Sequence, residues 1–342
     1  MTKQDDEVRV SPASQALERS IRRALRNQKR AQKKLKTDPV HDFRVALRRC
    51  RSLAEGFSAI DPDPVWRRLR KASKRVQRGM SDLRDVQVLE HWLKPLRLTS
   101  GPVGQALASH FKKQERRAKR EARSSLESFP RKRWKRWSRR LPARAELIPV
   151  NERRLAQLVL EQLTRVIDFH QRWTKQPSAE TWHELRVTVK RFRYMVESFL
   201  PQKSESWSAE LERAQDLLGE GHDFDVLHDL LLKLSRKKSL PKTAVSQSLR
   251  RVDSAAQKRR KEYVSLISEP PHRNGQGSGI HHAGNSSPAM LWDRWRTELN
   301  ELASINYQGG EESSRSTPRR ALRARARANR YPHRPRRISS AR

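Results

Sequence analysis

Between Ser14 and Ser268 apolar residues return every three or four positions, and strand-like alternation is nearly absent. Leu, Ala, Arg, Lys, Glu and Gln dominate, so this rhythm predicts one amphipathic helix after another and an all-α fold. Proline and glycine punctuate the series at "TDP" (37–39), "DPDP" (61–64), "TSGP" (99–102), "LPARAELIP" (141–149), "KQPS" (175–178) and "SLPK" (239–242). Each predicts an inter-helix turn. The helical composition then lapses, and 269–288 reads as a flexible linker. "AMLWDRWRTELNELASIN" (289–306) predicts one more amphipathic helix, while 1–11 and 307–342 are expected to be disordered. From Ser313 onward there are 11 arginines and no acid.

One stretch departs from an ordinary amphipathic helix. In "TWHELRVTVKRFRYMVESF" (181–199), His183, Arg186, Lys190 and Arg193 follow one another at intervals of 3, 4 and 3. At about 100° per residue they share an arc of roughly 80°, apart from the apolar stripe. The same arrangement stands 142 residues earlier in "VHDFRVALRRCRSLAEGF" (40–57), as His41, Arg44, Arg48 and Arg51. The apolar set Phe43, Leu47, Cys50, Ala54, Phe57 matches Leu185, Val189, Phe192, Val196, Phe199, and Glu55 matches Glu197. A second echo pairs "LRDVQVLEHWL" (83–93) with "GHDFDVLHDLL" (221–231), aligning Asp85 with Asp223. A repeat of this period predicts two copies of one helical unit, over about 12–141 and 150–268, within one domain spanning 12–268.

Charge changes what the stripe means. Lys plus Arg number 76 against 38 acids, a formal net charge of +38, which favours a polyanionic partner. A lysine- and arginine-rich helix face is most often a solvated surface. A solvated face, however, needs no fixed positions, and both copies keep a histidine first, Arg at the third place on, a cation at the seventh and Arg at the tenth. Like charges so spaced repel by about 0.2–0.5 kcal/mol per pair, and an anion relieves that. The single cysteine, Cys50, excludes an intramolecular disulfide framework and fits a reducing compartment. No apolar run approaches the roughly 20 residues of a bilayer span, and no secretory signal is evident. A soluble, cytoplasmic protein is expected.

"VHDFRVALRRCRS" and "WHELRVTVKRFRYMVE" resemble the two signature helices of the CHAD family, the conserved-histidine α-helical domain. "LRDVQVL" and "LLGEGHDFDVL" resemble its following motif, an Asp-centred turn entering the next helix. The resemblance covers 12–268 and leaves the last 74 residues outside. It implies two pseudo-symmetric four-helix-bundle repeats around a central basic cavity, binding of inorganic polyphosphate, and association with polyphosphate granules. Carried over, the binding residues are His41, Arg44, Arg48 and Arg51 with His183, Arg186, Lys190 and Arg193. The repeats differ where Gln87 faces Asp225 and Arg84 faces His222. The 213–225 segment is more acidic than 70–84, which predicts an asymmetric cavity. No triphosphatase domain is evident.

Arginine grips phosphate oxygens in pairs and lysine acts as a movable point charge, so such a row tracks a phosphate chain without reading a sequence. Lys74 and Arg78, with Arg70, Lys71 and Arg75, are candidates to extend the groove, their alternative being a solvated surface. The histidines are expected to stay neutral among cations until phosphate arrives. No catalytic residue, cofactor or metal site is expected: the phosphate-loop motif is missing, "HEL" does not continue as a zinc protease motif, and His281 and His282 lack companion ligands. The best acidic cluster, Asp216, Glu220, Asp223 and Asp225, is a conceivable magnesium site for a hydrolase. Asp223 and Asp225 are more readily explained as starting a helix after Gly219 and Gly221. Nonspecific nucleic-acid binding is the other rival, through the basic surface and arginine tail. Trp134 and Trp137 in "RKRWKRWSRR" either stack bases or pack a helix, and their spacing favours packing.

Overall fold

In the computed structural model, residues 11–149, 151–237, 240–268 and 290–304 are described, and all of the regular structure among them is helical. The first repeat holds α1 (Pro12–Lys33), α2 (Thr37–Ile60), α3 (Pro64–Arg78), α4 (Ser81–Leu93), α5 (Gly101–Glu127) and α6 (Arg131–Glu146). The second holds α7 (Glu152–Lys175), α8 (Ala179–Phe199), α9 (Pro201–Ser206), α10 (Ser208–Lys237), α11 (Lys242–Ser268) and α12 (Met290–Ser304). Local chemistry starts them: Ser11, Asp63 and Asn151 cap α1, α3 and α7, and prolines 12, 64 and 201 occupy first positions that need no N–H donor.

With α3–α4 taken as one broken rod, α1 to α5 form a four-helix bundle, and α7 to α11 form another. The break differs between copies. In the first it falls at Gly79–Met80, where a Cβ on Gly79 would sit 2.5 Å from the Ser125 side chain of α5. In the second the aligned residues are Leu217 and Leu218, both buried, and α10 runs through without interruption. Gly219 and Gly221 are therefore mid-helix, and neither Asp223 nor Asp225 begins a helix. Asp85 likewise stands inside α4 and not in a turn. Gly221 serves packing: an added Cβ would lie 2.8 Å from Trp182 Nε1. The turn expected over 141–149 is also shorter, because α6 continues through Pro142 to Glu146.

A fifth helix closes each bundle. α6 carries Trp134, Trp137, Leu141 and Ala145 inward, and α12 carries Trp292, Trp295, Leu299 and Ala303 at the same spacing. The helix expected at 289–306 is thus the second repeat's counterpart of α6. All eight are buried, and all but Ala303 belong to one large apolar core shared with α1, α2, α3, α7 and α8. The two α-helices bearing the basic stripes meet where Gly56 lets Phe199 approach, and Phe57 and Phe199 pack edge to face at 5.8 Å. A smaller second core joins the repeats at their other side: Val86 and Leu89 of α4 and Phe111 of α5 pack with Phe224 and Leu227 of α10 and Val252 of α11. No described helix is long and apolar enough to cross a membrane. The expected linker at 269–288 and tail at 307–342 lie outside the described residues.

Candidate functional site

Between the two cores lies a cavity of about 780 Å³, walled by α2 and α8 on one side and by α4 and α10 on the other. Each stripe reaches it because the apolar stripe of the same helix is fixed in the large core: Phe43, Leu47 and Cys50 on α2, Leu185, Val189 and Phe192 on α8. α8 is set at its start by a reciprocal cap, in which the Thr181 N–H donates to Ser178 Oγ and the Ser178 N–H to Thr181 Oγ1, each at 3.1 Å.

Seven of the ten sequence candidates line this one cavity: His41, Arg44, Arg48 and Arg51 from α2, and His183, Arg186 and Lys190 from α8. Arg193 does not. It donates to Glu197 Oε1 at 2.8 Å and lies 3.8 Å from Glu212. Glu197 also accepts from Arg49 of the first repeat at 3.1 Å. The place that Arg51 holds in one repeat is taken in the other by Arg191, which lines the cavity. Lys74 and Arg78 are exposed and outside the cavity, because Trp66, Leu69, Ser73 and Val76 anchor the opposite face of α3 in the core.

Several lining groups escaped the sequence reading, notably Arg84, Gln87, His91 and Trp92 on α4, and Tyr194 and Gln215. The signal for Arg84 was its alignment with His222. His222 Nε2 lies 3.3 Å from His183 Nδ1, whereas burial and then the aligned Arg84 depress the proton affinity of His41. Asp225, the partner position of Gln87, is turned to Arg260 at 2.5 Å and leaves the cavity. Glu220 is likewise engaged by Arg259. Among the described residues no three His, Cys, Asp or Glu side chains are grouped to hold a metal, and in the acidic segment Glu220 and Asp225 are paired with arginines. Trp134 and Trp137 are buried in the core, which makes them packing residues and not base-stacking platforms.

The lining holds seven Arg and Lys side chains, namely Arg44, Arg48, Arg51, Arg84, Arg186, Lys190 and Arg191, against the four carboxylates Asp85, Asp216, Glu220 and Asp223. Burial and like-charged neighbours shift several of them. Lys190 is pushed well below the usual lysine range, first by burial and then by Arg186 and Arg48. Arg44 falls to about 10 for the same reasons, its Nη1 donating to Gln77 O and Ser81 Oγ at 3.0 and 3.1 Å. Burial, then Arg186 and His183, takes His222 down to about 3, and burial lowers His41 and His183 too. Asp85 and Asp223 move the other way through burial, with Arg44 and Arg186 respectively opposing the shift. The Nε donors of Arg48, Arg186 and Arg191 are buried without an acceptor in the protein, an unfavourable state that an anion can relieve. Arg48 also lies over the Tyr194 ring at 5.7 Å, tying the two repeats together at the cavity wall.

Fold and site together define an all-α protein of two pseudo-symmetric helical repeats with a cationic cavity between them. The CHAD domain family model matches residues 15–232, and the chain belongs to that family. Among solved structures, the CHAD domain from the plant Ricinus communis is similar at 19% identity and a TM-score of 0.57, over 75% of this chain and 91% of that one. PptA from Streptomyces chartreusis is similar at 15% identity and a TM-score of 0.54, over 75% and 95%. Comparison with curated proteins finds no match.

Proposed function

We propose that this protein binds inorganic polyphosphate in the cavity between its repeats, without transforming it. The observation that supports this reading is the convergence of seven cations from both repeats on one cavity, three of them with an unpartnered buried Nε. A flexible chain bearing one charge per phosphate suits such a site, because guanidinium edges take pairs of phosphate oxygens. His41, Arg44, Arg48, Arg51 and Arg84 hold it from the first repeat, and His183, Arg186, Lys190, Arg191 and His222 from the second. Incoming phosphate stabilises charged Lys190 and charged imidazoles, so binding takes up protons. The proposed place of action is the polyphosphate granule.

Titration of the full chain with polyphosphate tests the reading. Affinity falls steeply with salt, as counterions are released, and Arg186→Ala with Lys190→Ala weakens it by more than about tenfold. Binding that ignores those substitutions contradicts the site. Release of orthophosphate in the presence of magnesium contradicts the non-catalytic role. In cells, a tagged chain collects at granules when the polymer is made and disperses when it is not; dispersal in both removes the granule assignment.

A further inference from the structure

The outer face of α3 builds a second basic groove with α5 and α6. It encloses about 950 Å³ and is separate in its lining from the central cavity. Arg68, Lys71 and Arg75 stand on one face of α3, and Arg120 of α5 and Arg133 of α6 face the same space. None of these five cations has an ion-pair partner among the described residues. The one carboxylate in the lining, Glu121, is held by Arg117 at 3.0 Å. The floor is of small residues, with Ala72, Gly79 and the hydroxyls of Ser124 and Ser128.

The second repeat supplies an internal control. Arg75 aligns with Arg213 and Glu121 with Glu262, and there Glu262 pairs with both Arg213 and Arg259 at 3.0 Å. Around them Arg294 pairs with Glu210 at 2.7 Å and Lys203 with Glu298 at 2.6 Å. One fold therefore carries the same face twice, neutralised in one copy and left cationic in the other.

We infer that the α3–α5–α6 groove is a second phosphate-chain site, which lets one protein engage a long polyphosphate at two places. The identity of the polyanion rests on the function proposed above; the groove itself does not. Its lining residues include no aromatic ring on which a base could stack, and five cations around a hydroxyl-lined floor suit bare phosphate. Two sites on one chain raise avidity for long polymers while leaving short ones to the central cavity.

Cys50 is buried and its thiol is pushed up by burial, so an added surface cysteine can be labelled selectively. In the full chain, an environment-sensitive fluorophore on Ser124→Cys reports the groove, one on Val226→Cys reports the central cavity, and one on Ser206→Cys reports the neutralised face. Long-chain polyphosphate changes the first two signals and leaves the third unchanged. Arg68→Ala with Arg75→Ala and Arg120→Ala weakens the Ser124 response by at least about tenfold and spares the Val226 response. Arg186→Glu with Lys190→Glu does the reverse. A silent groove beside a responsive cavity overturns this inference alone, and silence at both overturns the proposed function as well. An equal response at Ser206, or tighter binding of charge-matched single-stranded DNA in the groove, also overturns it.

Discussion

The two repeats keep one architecture and solve its electrostatics differently. Each closing helix docks at a carboxylate that also accepts an indole N–H from the bundle. In the first repeat the acid is Asp61, in the loop before α3: it accepts from Trp66 Nε1 at 2.7 Å and from Arg144 of α6 at 2.7 and 2.8 Å. In the second the acid is Glu298 on α12 itself, accepting from Trp207 Nε1 at 3.2 Å and from Lys203 at 2.6 Å. Donor and acceptor have changed sides. At the cavity, Arg51 and Arg191 face inward while Arg49 and Arg193 share Glu197. Such exchanges are free wherever only the pair matters. The histidine, the arginine three residues on and the cation seven residues on are not exchanged, which singles them out as facing something outside the fold.

Breaking the latches should have the largest effect. Asp61→Ala leaves Arg144 and Trp66 without their buried acceptor and is expected to cost about 3 kcal/mol in chemical unfolding. Glu298→Ala, whose own carboxylate is more exposed than that of Asp61, should cost about half that. Hydrogen bonding from Arg144 holds the Asp61 carboxyl at about 2. Its stabilisation is therefore complete above the ordinary aspartate range near 3.8 and is lost as pH falls toward 2. Unfolding midpoints that are equal for the two variants would contradict the asymmetry.

Gly56 and Ser198 occupy matching positions, and Gly56 meets Phe199 of the opposing repeat. Gly56→Ala places a methyl group 2.4 Å from Phe199 Cζ and should destabilise by about 1–3 kcal/mol, read by thermal or denaturant unfolding. A neutral substitution would mean that the helices bearing the stripes can separate cheaply. Next in size, Arg191→Ala should weaken polyphosphate binding about tenfold, whereas Arg193→Ala should change it by less than about twofold. The opposite order in a binding titration would restore the simple periodic stripe.

The smallest effect is the pH dependence. Burial and neighbouring cations lower His41, His183 and His222 in the free protein, and bound phosphate raises them. Affinity should thus strengthen a few-fold as pH falls from 8 toward 5, with proton uptake measurable by calorimetry in buffers of different ionisation enthalpy. In the free protein the sign is reversed. Below the ordinary histidine value of 6.5, the unfolded chain takes protons that His222, held at about 3, does not. Stability then declines as pH falls from 6.5 toward 3. Affinity that is flat with pH would remove the histidines from binding.

Much of this was legible because it is local. Helical periodicity gives the elements, and a stripe repeated at 142 residues gives the pairing of α2 with α8. The tryptophan pattern of α6 also recurs in α12, but the offset there is 158 residues, so a search at one fixed period passes over it. What stayed hidden depends on distant partners. Arg191 and Arg193 lie roughly 160° apart on the helix, and which of them faces the cavity is decided by Glu197 and Arg49, contacts that link the two repeats. Lys74 and Arg78 looked like groove residues until the buried face of α3 fixed its rotation. Gly219 and Gly221 looked like a turn, yet Trp182 packing against Gly221 and the buried Leu217 and Leu218 carry the helix through.

The central claim is that both repeats build one binding site. Its most direct measurement is the titration of tripolyphosphate into the chain labelled at Val226→Cys on the cavity rim, alone and with Arg44→Ala or Arg186→Ala. The two arginines hold matching positions in different repeats, so each substitution should weaken the same transition by a similar factor of about 10 or more. A response lost with Arg186→Ala but untouched by Arg44→Ala would contradict a shared cavity and confine the site to the second repeat.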